Sequence, residues 1–239
     1  MSASPLDKRL SPEEIIDKRE AILRELRARD EGFRTTPVRS VRQSTLDAMY
    51  ARYDELFFDG FLTRYYGKLR VTISTRLTSA AGKFVYSSRT GLQSAEIRMS
   101  GDFLFRLVNG PFQLNGLFAD TEQEAFLIVF EHELIHALEY AAYGKTGHSP
   151  RFKALAYQFF RHESIYHNLP TRKVEAAKNG LTVGSSVSFT YEGRALTGTV
   201  SYVGKTATVM VPDPRGSYAD KNGKRHAKYR VPLSLLKKN

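Results

Sequence analysis

The stretch VFEHELIHALEYAAYGKTGHSPRF, from Val129 to Phe152, carries two histidines four residues apart, a glutamate between them and a third histidine after a glycine. On a helix advancing 100° per residue, His132 and His136 stand about 40° apart and one turn above each other, so both imidazoles can converge on one ion. Glu133 falls about 100° from His132 and about 60° from His136, beside such an ion rather than on it. A carboxylate placed there can take a proton from a zinc-bound water, which is the mechanical content of the H-E-x-x-H pattern. Phe130, Leu134, Ala137 and Ala141 occupy the other side of the wheel. An apolar stripe is therefore expected against the core, with the histidine face turned away from it.

Catalytic zinc takes three protein ligands and keeps one position open for water. His148, beyond Gly144 and Gly147 and just before the cap of the next helix, is the expected third ligand. Glu163 competes with it, since some H-E-x-x-H enzymes draw a glutamate from a following helix, and His162 and His167 are lesser rivals. The metzincin continuation, a glycine and then a histidine at fixed intervals, is excluded because Glu139 and Ala142 stand at those places.

The elements that must position these residues are legible from caps and periodicity. Ser11, Pro12 and Glu14 form a capping box ahead of an amphipathic helix whose apolar face holds Ile15, Ile22 and Leu26, flanked by Ile16 and Leu23. That helix is expected to pack as an appendage on the body or on a partner, with DEGFRTTPVRSVRQ after it as a linker. A second helix starts at Ser44, carries Met49, Tyr53, Leu56 and Phe57, and stops at Gly60. Leu69, Val71 and Ile73 alternate with polar residues, as do Ala95, Ile97 and Met99, and a hairpin turn is expected near Thr90-Gly91. An antiparallel sheet of about three strands should thus precede the histidine helix. An edge strand such as the Ala95–Met99 run would hold an extended substrate by strand addition. Thr121 with Glu124 opens the histidine helix and Gly144 closes it, and Ser149 with Pro150 opens the next one.

Composition bounds the rest. A chain of 239 residues, 41 % hydrophobic and 12 % aromatic, can bury a real core. It has no cysteine, which removes disulfides, thiol nucleophiles and cysteine-ligated zinc, and points to a reducing, cytoplasmic location. Neither an apolar run long enough for a membrane nor a secretory leader is seen, so no membrane partner is expected. The net charge of +11 is uneven: residues 180–239 hold 10 basic and 3 acidic residues, while residues 1–44 hold 10 and 8. An anionic partner is therefore expected at the C-terminal end.

FEHELIHALEY with GKTGHSPRF resembles the SprT-like metalloproteases. LFFDGFL, RLTSAAGKFVY and AEIRMS look like that family's leading helix and central strands, so the resemblance runs from about Ser44 to Pro170. It implies a zincin-like α+β fold, one zinc ion on His132, His136 and His148, Glu133 as catalytic base, and hydrolysis of peptide bonds in protein or peptide substrates, often near DNA. Many relatives end in a zinc-binding DNA module. Here a cysteine-free segment stands in that place.

That segment, residues 180–239, breaks into four or five short β-rich runs separated by Glu192-Gly193, Gly204-Lys205 and a long polar loop, as in a small SH3-like barrel. Lys205, Arg215, Lys221, Lys224, Arg225, Lys228 and Arg230 are interleaved with Tyr202, Tyr218 and Tyr229, a composition suited to single-stranded nucleic acid, or alternatively to a peptide or protein. The expected organisation is an N-terminal helix and linker over 1–43, a metallopeptidase domain over 44–179 and a basic β-barrel over 180–239. The alternative function is a non-catalytic, zinc-containing protein that binds nucleic acid or another partner. The oligomeric state is not legible.

Overall fold

Helix α6 (Glu122–Tyr143) is the axis of the first unit, and its ends are set locally. Thr121 accepts from the Glu124 amide, Glu124 returns to the Thr121 amide, and Gly144 turns the chain at φ 69°. Its interior is buried on nearly every side, with Phe126, Phe130, Leu134 and Leu138 among the core residues. Burying side chains of this size contributes about 1.5–3 kcal/mol each. Between Ala125 and Tyr140, only His132, His136 and Tyr140, one turn apart, stay half-buried. The expected exposed histidine face is thus a narrow slot rather than an open side.

The computed structural model describes residues 5–87, 94–107, 110–166, 169, 180–204 and 206–239. The chain divides into two compact units, Met1–Leu169 and Pro170–Asn239. In the first, α1 (Pro12–Arg29), α2 (Glu31–Arg34), α3 (Gln43–Phe58) and α4 (Phe61–Tyr66) precede β1 (Leu69–Ser74), β2 (Gly82–Ser87) and β3 (Ser94–Ser100). A short α5 (Gly101–Leu104) and the strands β4 (Phe112–Leu114) and β5 (Leu117–Ala119) lead to α6, and α7 (Pro150–Phe160) follows it. Ser11 and Glu14 form the expected capping box on α1, and Ser149 caps α7 with Pro150 at its first position.

Helix α1 packs on the body: Ile15, Ile22, Leu23 and Leu26 belong to the same core as α6, while Ile16 remains exposed. The stretch after it is not a free linker. Phe33 and Val38 are buried, and the Asp30 carboxylate accepts from the Gly32, Phe33 and Arg42 amides and the Thr45 hydroxyl. These donors outweigh burial, which by itself would raise the Asp30 carboxyl, and hold it below its ordinary value.

The first sheet has the order β1-β3-β2, and it corrects two expectations. It is mixed, not antiparallel: β2 runs antiparallel to β3, but β1 runs parallel to it with Leu69 opposite Ala95. Alternation of apolar residues assigns faces, not directions, so it could not separate these cases. The Ala95–Met99 run lies in β3, which is paired on both sides and has no edge to offer; among the described residues β2 is the edge beside α6. The expected turn at Thr90-Gly91 lies outside the described residues. A further hairpin, β4 with β5, turns on Asn115 and Gly116, both at positive φ.

The second unit is one antiparallel sheet of β6 (Ser186–Tyr191), β7 (Arg194–Val203), β8 (Thr206–Pro212), β9 (Tyr218–Ala219), β10 (Arg225–Pro232) and β11 (Lys237–Lys238), in the order β11-β6-β7-β8-β10-β9. Its core is Val187, Phe189, Val200, Val203, Ala207, Val209, Val211 and Val231. Among the described residues the pairing runs from β11 to β9 without closing on itself. No described helix is long and apolar enough to cross a membrane.

Candidate metal centre

His132 and His136 arise from α6 and His148 from the loop between Gly144 and Ser149 that leads into α7. The structure brings these three together, with one ring nitrogen from each lying within 4.8 Å of the others. His132 Nε2 stands 3.0 Å from His148 Nε2. Two nitrogens bound to one tetrahedral zinc at about 2.0–2.1 Å would stand about 3.3–3.4 Å apart, so the spacing is close to that of a ligand pair. His136 Nδ1 lies 2.8 Å from Thr146 Oγ1, which with the proton on Nδ1 leaves Nε2 as the lone-pair donor.

Phe152, at the start of α7, packs beneath all three rings, with centroids 4.3 Å from His136, 5.0 Å from His132 and 5.1 Å from His148. Burial in this setting also favours the neutral form of His136 and His148. Burial lowers the His136 value to about 4, helped by the neighbouring His148 and opposed by Glu139. Burial likewise lowers His148. Neutral imidazoles are the form that ligates a metal, so the donor set fits one zinc ion with an open position.

Glu133 lines the same cavity of about 370 Å³ as the three histidines, together with Gly82, Phe84 and Asn115. Its Oε2 accepts the Phe84 amide of β2 at 2.7 Å. Burial pushes its carboxyl up to about 8, against the Phe84 amide, which favours the charged form. A cation beside it would draw that value down. A carboxyl with this setting can exchange a proton near neutral pH.

The rivals for the third position are placed elsewhere. Glu163 is exposed, its amide donating to the Asn115 carbonyl at 2.9 Å, and it is not part of the cluster. His162 is fully buried against Glu131, with Nε2 3.0 Å from Glu131 Oε2. His167 lies outside the described residues. Of the basic residues read from the sequence, Lys228 and Arg230 share a groove on the second unit, Arg215, Lys221, Lys224 and Arg225 lie outside that groove, and Lys205 is outside the described residues.

Two groups were not found from the sequence. Glu139, buried on α6, accepts from the Gly147 amide at 3.1 Å, the Ser149 hydroxyl at 3.2 Å and Arg151 Nε at 3.3 Å, and so ties down the loop that carries His148. Glu131, also fully buried, accepts Arg19 at 2.7 and 2.8 Å and the Tyr53 hydroxyl at 2.8 Å in addition to His162. Their one signal was a carboxylate in an otherwise apolar helix, which calls for a partner.

The sequence model of the SprT-like family matches residues 46–173. No curated protein and no solved structure matches the chain significantly.

Proposed function

The chain belongs to the SprT-like family, and from that premise we propose that it is a zinc-dependent metallopeptidase that hydrolyses peptide bonds. The observation that carries this reading is the convergence of His132, His136 and His148 on one point of a cavity that Glu133 also lines. His132, His136 and His148 would hold one zinc ion, leaving a coordination position that a closed structural site of four protein ligands would not have. When bound, zinc supplies a Lewis acid that makes water nucleophilic near neutral pH and polarises a carbonyl.

The chain's own groups supply the remainder. Glu133 takes the proton from the attacking water on its carboxylate and returns it to the departing amine nitrogen. Phe84 fixes that carboxylate through its amide, and Thr146 fixes the ring of His136. Phe152 gives the site a dry floor that strengthens each of these contacts. Among the described residues β2 is an edge that borders the cavity through Gly82 and Phe84, and apart from the Phe84 amide its outward main-chain groups are open to an extended peptide.

The test is metal analysis with a cleavage assay on an unfolded protein substrate such as casein. About one zinc per chain is expected, as catalytic sites of this kind hold one ion. Glu133→Gln should keep the metal and lose cleavage, and full activity in that variant would remove the assigned base. His148→Ala should lose the metal while Glu163→Ala keeps it; the reverse result would give the third position to Glu163.

A further inference from the structure

The outer face of the second unit holds a site that depends on a displaced residue. Along β7 and β8, Val200 pairs with Val209, but the next pair is Tyr202 with Thr208, so Ser201 is an extra residue in the ladder. Side chains alternate between faces, and without that insertion Tyr202 would point to the core side like Val200. With it, Val203 returns to the core and Tyr202 is turned outward, where it is 62 % exposed. Ser201 Oγ closes the bulge by donating to the Thr208 carbonyl at 3.3 Å. Gly204 completes the arrangement, since a Cβ there would meet the Tyr202 ring at 2.7 Å.

The bulge places Tyr202 on the face that carries Thr208, Met210, Lys228 and Arg230, and Tyr218 of β9 joins them to line a groove of about 580 Å³. Lys228 pairs across the sheet with Met210, and Arg230 with Thr208. Lys228 Nζ lies 5.2 Å from the centre of the Tyr218 ring, which is itself 46 % exposed. No described residue lining the groove is acidic. Two cations, two presented rings and hydroxyl groups without a carboxylate describe a surface for an anion that also has flat apolar faces.

We infer that this groove binds single-stranded nucleic acid, with Lys228 and Arg230 on phosphates and Tyr202 and Tyr218 stacked on bases. A duplex would satisfy the cations but hides its base faces, so it would leave the two rings unused. An acidic peptide has the same shortfall. The inference narrows the basic surface read from the sequence to two of its cations and two tyrosines, and it does not depend on peptidase chemistry.

The test uses the full chain and fluorescence anisotropy with an oligothymidylate of about 15 nucleotides, near the upper end of the site sizes known for single-strand binders. The single strand should bind more tightly than a duplex of the same length. Tyr202→Ala and Tyr218→Ala should each weaken binding by about 5- to 150-fold, the range of one lost base stack, whereas Tyr202→Phe and Tyr218→Phe keep the ring and should bind nearly as the wild type does. Removing Lys228 and Arg230 together should lower the slope of log affinity against log salt by about 1.4, two phosphate contacts' worth on a single strand. Lys221→Ala with Lys224→Ala, outside the groove, should leave the dependence on the tyrosines intact. Equal binding of duplex, equal competition by polyglutamate, or tyrosine-to-alanine variants that bind like the wild type would each overturn the inference.

Discussion

Glu139 Oε2 accepts the amide of Gly147 at 3.1 Å, one residue before His148. A helix residue thereby sets the position of a loop residue, and the same carboxylate also takes the hydroxyl of Ser149 and Nε of Arg151. Groups that hold a ligand in place typically contribute about 10- to 100-fold to metal affinity. Glu139→Gln replaces one acceptor with a donor facing other donors, so zinc affinity should fall by about that factor in competition with a chelator. The melting temperature of the metal-free protein should be read in parallel. A lowered melting temperature with unchanged zinc affinity would assign Glu139 to folding alone.

Gly82 abuts the carboxylate of Glu133. A Cβ at this position would lie 2.7 Å from Glu133 Cγ and 2.8 Å from its Oε1. The backbone of Gly82 is not in the left-handed region, so alanine adds this contact and no backbone strain. Gly82→Ala should shift the carboxylate while leaving the three histidines untouched. Displacing a reacting group by about 1 Å can cost about 100-fold in rate. The expected result is stoichiometric zinc with kcat reduced by about that factor. Unchanged kcat would mean that Glu133 works from another rotamer.

The half-buried Arg19 of α1 and the fully buried Glu131 of α6 form a pair joined at 2.7 and 2.8 Å. Burial alone would raise the Glu131 carboxyl, but Arg19 and His162 outweigh it and hold it well below the ordinary carboxylate range. The folded protein therefore favours the ionised form more than the unfolded chain does. That contribution is complete above the ordinary glutamate value of about 4.3 and is lost as pH falls toward the lower folded value. Glu131→Gln leaves the half-buried Arg19 charge without its partner and should destabilise the metal-free protein at neutral pH by up to about 3 kcal/mol, the low end for a broken buried pair because Arg19 keeps some solvent. Denaturant titrations at pH 7 and pH 3.5 should show the gap between wild type and variant narrowing at the lower pH. A constant gap would place the effect in packing.

What could be read ahead of the structure follows from how local each signal is. The capping boxes at Ser11 and Thr121 were legible because both partners lie within four residues. The clustering of His132, His136 and His148 was legible because two of them share a helix face and the third precedes a capped helix. The Asn115-Gly116 dipeptide is a strong hairpin signal, but strands of three residues on either side show too little alternation to mark it. Strand direction was not legible, since alternation is the same in β1 whichever way it runs beside β3. The buried carboxylates were illegible for a different reason: Glu131 finds Arg19 across 112 positions of sequence. The bulge at Ser201 shifts register by one residue, and period-two patterning upstream of it predicts the wrong face for Tyr202.

The edge of β2 yields a prediction about substrate. The Phe84 amide points away from β3, since it meets Glu133 Oε2 at 2.7 Å. In an antiparallel pair, a residue whose amide points outward also points its carbonyl outward, and the pattern repeats at every second residue. Gly82 and Tyr86 therefore present amide and carbonyl on the outer side and Phe84 its carbonyl, its amide being taken by Glu133, while Lys83 and Val85 direct theirs to β3. A peptide laid along this edge would make hydrogen bonds with alternate residues only. Each such bond is worth about 0.5–1.5 kcal/mol, so losing one should lower kcat/KM by about 2- to 12-fold. In a series of peptide substrates methylated at one backbone nitrogen at a time, sensitive and tolerant positions should alternate across the residues flanking the cleaved bond. Uniform tolerance would mean that side chains hold the substrate, and uniform sensitivity would mean that methylation acts through the peptide's own conformation. Period two is the outcome that ties the substrate to β2.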